Sequence, residues 1–548
     1  WRTKAILVAD DICQAKKPDS NGFLHMSQTE AVDATIPAAF DRRKIYLYDY
    51  GEACIYDGKP EAKRDLLRAW SDGAWLVNYT GHGADIVLAD EHVFDLTDIP
   101  VLSNANRLPI FTAFSCSVGK FSKTAQQGIG EALVLAHGTG VLMSAAATHL
   151  TYSGSNTDLN IAFVAALFPD AADPSRTVPA GVALMQAKRL RYGDDKYVCL
   201  GDPASRINTP GGLLELEGPA QIERGGLVDL RVEVPGAGPG EVDLLAQDAR
   251  FLKSKNSQGV PIPIVPPGGY YLPGATIYRG VSTLQGDTTR VRFTVPVALR
   301  GGPDGRMRVY AAGDDWDAFG TMVLPVTAQT TASPDSLGPE IGFSGTGGTL
   351  RPGQQVEVLL EDPAGINLTG IFEFLSVLLR VFDETGLERV RQDVTSGFAY
   401  DSGSSTSGRV VFAVPDLEPG RYTLIVSAAD NYNNRTQASL EVQVGEASAG
   451  GGFASVAAYP NPFDPDREPT RILFTLDDAA HVTVRVYSVS GRLVRRGDME
   501  AASGGNAFMW DGKDEAGDAV ANGVYLVHLT ASGSGGAKRH LERVAVVR

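Results

Sequence analysis

Short apolar runs alternate with helix-length amphipathic segments through the first 210 residues. Ala5 to Ala9, Lys44 to Tyr48, Ala74 to Tyr79, Pro109 to Ser115 and Gly140 to Ala145 predict strands. The stretches near Gln28 to Phe40, Glu61 to Ser71 and Gln127 to His137 predict helices. Such β–α alternation builds a mostly parallel sheet with helices on both faces, because each parallel pair needs a long crossover that must pack on the sheet. From Gly212 the helical period fades and period-two runs take over, as in LVDLRVEV (227–234), TRVRFTVPV (289–297) and RMRVYAA (306–312). The rest of the chain is expected to be all-β. Breaks at 330–336 (TTASPDS) and 446–452 (EASAGGG) have linker composition. These cuts give an α/β unit over 1–211 and three β-sandwiches over 212–332, 333–447 and 453–548, each near the size of an Ig-like domain.

Composition sharpens this outline. A chain of 548 residues needs several cores rather than one. No apolar run approaches the roughly 20 residues of a membrane helix, so no transmembrane segment is expected. The 65 Asp and Glu outnumber 49 Lys and Arg, and a net charge of −16 repels phosphate backbones and disfavours nucleic acid as a partner. Only four cysteines occur, Cys13, Cys54, Cys116 and Cys199, with no CxxC pair, so neither zinc-ribbon spacing nor a disulfide framework is expected. The opening WRTKAILVADD has no initiator Met and no leader pattern, and reads as starting inside a longer precursor whose N-terminal part is missing.

Two residues carry chemistry at predicted strand ends. Tyr79-Thr80-Gly81-His82-Gly83 follows directly on a strand, and its glycines let the backbone turn while leaving the imidazole uncovered. A lone GHG equally suits a histidine that caps a turn. Thirty-four positions later the next strand ends at Cys116, so a thiol and an imidazole are expected at one sheet edge. An adjacent imidazole takes the thiol proton and later protonates the leaving amine. The N–H groups of Gly83 and Cys116 are candidates for the oxyanion hole. Cys13, Cys54 and Cys199 have no such histidine and read as structural.

At these blocks the chain resembles the gingipain family of cysteine endopeptidases. AWLVNYTGHG (74–83), LPIFTAFSCSVGKF (108–121) and YVCLGDPASRI (197–207) are similar to three core blocks of that family in order and spacing. The resemblance implies a caspase-like fold, a His82–Cys116 dyad, and an acidic residue after the first strand that orients the histidine. In Leu7-Val8-Ala9-Asp10-Asp11 that role goes to Asp10, with Asp11 as the alternative; an Asp pair there also suits turn-making or helix capping. Gly201-Asp202-Pro203 resembles the closing block and reads as structural. Arginine-specific members carry an acid for the substrate side chain just before the first core helix. The comparable Phe23-Leu24-His25-Met26-Ser27 has none, which argues against strict Arg or Lys specificity.

Glu361 to Asn367 (EDPAGIN) and Leu417 to Asn434 (LEPGRYTLIVSAADNYNN) resemble the domain that follows the catalytic unit in type IX secretion sortases. The last hundred residues, from Tyr459-Pro460-Asn461-Pro462-Phe463 onward, are similar to C-terminal sorting domains and to the Ig-like domain of flagellar hook-cap proteins. Together these imply an extracellular enzyme at the outer-membrane surface that removes C-terminal sorting signals from secreted cargo through an acyl-enzyme. Implied partners are protein substrates carrying sorting domains and an outer-membrane β-barrel shuttle protein. The chemistry needs no cofactor, and whether structural calcium braces the loops is not legible in the residues. The rival readings are a secreted degradative protease and an inactive surface adhesin, the latter opposed by an intact His82 and Cys116.

Overall fold

The structure is a computed structural model. It describes all residues except 12, 15–16, 19–21, 51–57, 124–125, 171–172, 189–192, 263–267, 329–334, 345–348, 446–452, 468, 477–478, 489–491, 503 and 534–535. Cys54, the 446–452 linker and most of the 330–336 linker lie outside the described residues, as does the side chain of Cys13.

In chain order the α/β unit runs β1 (Lys4–Ala9), α1 (Gly22–Asp33), β2 (Asp41–Tyr46), α2 (Pro60–Asp72), β3 (Leu76–Thr80), β4 (Ile110–Phe114), α3 (Ile129–Leu135), β5 (Met143–Ala147), α4 (Ser153–Leu167), α5 (Ala180–Ala187) and β6 (Tyr197–Gly201). The strands form one sheet in the order β6-β5-β4-β3-β1-β2, parallel throughout except for β6. Period-two alternation divides β1 between two cores. Ala5 and Leu7 join the layer under α1, α4 and α5, while Ile6 and Val8 join that under α2 and α3. The four central strands are buried on both faces, so their sequences read as mainly apolar runs broken by buried Asn78, Thr80, Thr112 and Ser144.

Helix α2 shows how sequence sets one of these layers. Pro60 stands in the first turn, where its missing N–H does no harm, and Ala62, Leu66 and Trp70 recur every four residues as the buried stripe. Trp70 stacks on Phe94 and Phe111 at ring-centroid distances of 5.0 and 5.6 Å. Burying a side chain of that size stabilises the fold by about 1.5–3 kcal/mol.

Several expected boundaries move. Helix α1 spans 22–33 rather than 28–40, so Phe23 to Ser27 lie inside the helix and not before it. Its buried stripe of His25, Met26 and Thr29 mixes polar and apolar residues, which hides the start from an apolar-period reading. The strand expected over 44–48 begins at Asp41 and gives way to a short 3-10 turn at Leu47. The fifth strand lies three residues later than expected, and α4 and α5 were not expected at all. Small and polar residues in α4 blur its period, although Leu159, Phe163, Val164 and Leu167 form its buried face.

Beyond Gly212 every element of length is a strand. The segments 212–327, 340–444 and 453–546 each supply two principal sheets. The first of these packs closely on the α/β unit. Arg306 and Arg308 both pair with Asp41, Arg308 also donates to Thr3, and Phe319 stands 5.4 Å from Phe40. The Phe251–Lys253 and Tyr270–Leu272 hairpin reaches back to strands β1 and β2, where Tyr270 and Ile262 close a small core with Ala9, Met26, Tyr46 and Tyr48. Tyr278 stacks on Phe293 within the same segment and on Tyr400 of the next.

In the 340–444 segment, Asp362 and Asp430 are buried close together with Asp335 nearby. Burial, opposed by the Ala364 N–H but reinforced by the charges of Asp430 and Asp335, raises the Asp362 carboxyl from 3.8 to about 7. The native chain therefore holds this proton more tightly than the unfolded chain. The stability it contributes is full below about pH 4 and is lost as pH rises through about 7. Asp362→Asn keeps an acceptor for Ala364 N–H and is expected to flatten this fall, as read by urea midpoints across that range.

Candidate functional site

Strands β3 and β4 run side by side with Thr80 paired to Phe114, so residues 34 apart are neighbours along the whole ladder. His82 and Cys116 each stand two residues past that last pair. The carboxyl ends of adjacent parallel strands are where loops leave the sheet and can present side chains. The turns are tight. An added Cβ on Gly83 would lie 2.5 Å from Ser115 Oγ and 3.4 Å from the Cys116 carbonyl oxygen, so the GHG loop packs directly against the Cys116 turn. After Cys116, Ser117 takes φ 57°, sparsely populated for a residue with a Cβ, and its N–H is held by His149 O at 3.2 Å.

Cys116 is a free, partly exposed thiol. Its Sγ accepts from the Thr151 N–H at 3.4 Å and lies 3.6 Å from Thr151 O. Thr151 is in turn fixed by Asn156, whose Nδ2 donates to Thr151 Oγ1 at 2.9 Å and whose Oδ1 accepts from Tyr197. Among the described residues, neither the Gly83 nor the Cys116 N–H is engaged by a backbone carbonyl. On the reading of Gly83 N–H as an oxyanion donor, Gly83→Ala, whose Cβ would meet Ser115 Oγ and Val118 and shift that N–H, is expected to lower kcat by about 100-fold. Steady-state kinetics of the purified chain would show it, with KM changing less.

The two acids after β1 take different tasks. Asp10 is fully buried, and its Oδ2 accepts from the His82 backbone N–H at 2.8 Å while Oδ1 accepts from Asp11 N–H. Gly81 is obligatory here, since a Cβ would sit 2.4 Å from that of Asp10. Asp10 thus holds the GHG loop through its backbone, with a carboxylate oxygen within 4.8 Å of a His82 ring nitrogen. Asp11 turns instead to Lys59, 2.5 Å away and itself buried. Burial, reinforced by the Asp11 charge, pushes Asp10 up to about 7. Burial together with Asp10 and Asp11 pushes Glu91 up to about 8.

Three residues of this site were not singled out by sequence reasoning. His25, from α1, is buried and meets the His82 ring edge to face at 5.1 Å. Thr151 and Lys59 come from loops with no motif of their own. Glu30 is held by Lys44 at 2.6 Å and by Tyr46. Cys199, on β6, is half-buried, and burial raises its thiol. Among the described residues, three groups of side chains stand close enough to share a cation: Asp10, His25 and His82; Asp10, Asp11 and Glu91; and Asp335, Asp362 and Asp430. No helix among them is long and apolar enough to cross a membrane.

Residues 1–208 match the sequence model of Peptidase family C25, the gingipain family, and residues 463–535 match that of the FlgD Ig-like domain. No curated protein matches the chain. Among solved structures the chain is similar to dimeric latent PorU from Porphyromonas gingivalis, at 18% identity and a TM-score of 0.30 over 75% of this chain. It spans 41% of the length of that PorU chain. A chain described as "Structure of Protease" matches at 14% identity and a TM-score of 0.29, over 59% of this chain and 67% of that one. FlgD from P. aeruginosa matches at 25% identity and a TM-score of 0.15, over 18% of this chain and 76% of its own.

Proposed function

We propose that residues 1–211 act as a cysteine endopeptidase of caspase-like fold, with His82 and Cys116 as the dyad, followed by β-sandwiches over 212–332, 333–447 and 453–548. The observation that carries this reading is the register of β3 and β4, which sets His82 and Cys116 at equal distances beyond paired strand ends. The C25 match over the same residues supports it. In the reaction, Cys116 Sγ attacks the scissile carbonyl as His82 takes the thiol proton. The N–H groups of Gly83 and Cys116 receive the oxyanion, and His82 returns the proton to the leaving amine. The resulting thioester on Cys116 is resolved by water or by an amine.

The substrates in this reading are secreted proteins with C-terminal sorting domains, at the outer surface of the cell, with a β-barrel shuttle protein as partner. The FlgD-like segment over 463–535 supports it through the sorting-domain resemblance of the same residues. The lack of a carboxylate in Phe23 to Ser27 does not bear on Arg or Lys specificity, because these residues stand inside α1 and the sequence ahead of that helix carries Asp19. The test is to incubate the full chain with a reporter fused to a sorting domain, with and without an added amine, and weigh the products. Cleavage at the junction, with the amine incorporated, is expected. Scattered cleavage throughout the reporter would favour a degradative protease, and an intact fusion would favour an adhesin.

A further inference from the structure

Three side chains converge beside the dyad in a way that peptide cleavage does not use. His25 comes from α1, Asp10 follows β1 and His82 follows β3, and one ligand atom of each lies within 4.8 Å of the others. The neighbours of His25 set its tautomer. Gln28 Nε2 donates to Ser153 Oγ at 2.6 Å and to Ser153 O at 3.3 Å, which turns Gln28 Oε1 towards His25 Nδ1, 3.4 Å away. In the tautomer this oxygen favours, Nδ1 donates to Gln28 Oε1 and Nε2 carries the lone pair. An imidazole whose far N–H is held by an oxygen is the arrangement metal-binding histidines use.

Two imidazoles and one carboxylate suit borderline cations such as Zn²⁺ rather than Ca²⁺ or Mg²⁺, which prefer oxygen alone. Tetrahedral bonds of about 2.0–2.1 Å separate ligand atoms by roughly 3.3 Å. The three ligand atoms, within 4.8 Å of one another, would close to that spacing on a cation. We propose that Asp10, His25 and His82 form a Zn²⁺-class site which, when filled, withdraws His82 from Cys116 and reversibly shuts the enzyme off. Zinc then has three protein ligands and an open fourth position for water. The site stands on this geometry alone, whereas the shut-off also rests on the reading of His82 as the catalytic base.

Zinc chloride titrated calorimetrically into the full chain carrying Cys116→Ala tests the site without the thiol. One Zn²⁺ per chain is expected, with affinity falling at least tenfold in His25→Ala and in His82→Ala, and about tenfold in Gln28→Ala. Loss of binding in Cys116→Ala, or unchanged affinity in His25→Ala, would overturn the site. Because His25 is buried, a Co²⁺ spectrum of the unaltered chain supplies a second readout. Ligand-field bands without thiolate-to-cobalt charge transfer are expected, and a charge-transfer band would place the metal on Cys116 and overturn the proposal. In the cleavage assay Zn²⁺ should stop turnover and a chelator restore it. Zinc bound by Cys116→Ala without inhibition of the unaltered chain would overturn the shut-off and count against His82 as the base, while the metal site stood.

Discussion

Cys116→Ala is expected to lower turnover of the sorting-domain fusion by about 10,000-fold or more while moving Tm by no more than a degree or two. The first half follows from the proposed role of the Cys116 sulfur in forming the thioester, since removal of a covalent nucleophile leaves just the background from oxyanion binding. The second follows from position. Cys116 is partly exposed in a loop, its sulfur is held by Thr151, and truncation there opens no core cavity. Product masses and scanning calorimetry on the same preparation check both halves. A variant that is inactive because it unfolds early would not support the dyad, and one that still cleaves would move the nucleophile elsewhere.

The largest loss of stability is expected from Lys59→Met, about 3–5 kcal/mol. Lys59 lies 2.5 Å from Asp11 and donates to Leu47 O at 2.7 Å. It is a cation partner of an acidic trio in which Asp10, Asp11 and Glu91 offer oxygens within 4.8 Å of one another. Removing it takes the ammonium from Asp11, a buried carboxyl group beside two others. Urea unfolding followed by the fluorescence of buried Trp70 and Trp75 would report the loss. Lys59→Met combined with Asp11→Asn should recover most of it, because the stranded charge is then gone. Equal instability of the single and double variants would mean that Lys59 matters through packing rather than charge.

The sheet was legible because central parallel strands are buried on both faces, so β1, β3 and β4 stand out as apolar runs whatever surrounds them. That His82 and Cys116 share one sheet edge was legible for a related reason: a GHG and a cysteine directly after such runs have only the sheet edge to go to. Helix α1 was misplaced because its N-terminal turns carry His25 and Thr29 on the buried face, and a buried histidine against another histidine is a tertiary fact with no periodic signature. Thr151 and Lys59 were missed for the same cause, since each acts across 35 or 48 residues of chain through a contact that no local pattern encodes. The choice between Asp10 and Asp11 stayed open in the sequence because adjacent residues on a loop diverge only once Lys59 and the GHG backbone are in place. The linkers at 330–336 and 446–452 stand on composition.

The claim that His82 activates Cys116 is tested most directly by the rate at which iodoacetamide alkylates each cysteine, mapped by peptide mass at neutral pH. Cys199 serves as the internal reference, being half-buried with its thiol raised by burial. The account predicts that Cys116 is alkylated at least tenfold faster than Cys199, and that His82→Ala removes most of that advantage without changing the rate at Cys199. Cys116 reacting no faster than Cys199, or equally fast with and without His82, would contradict it.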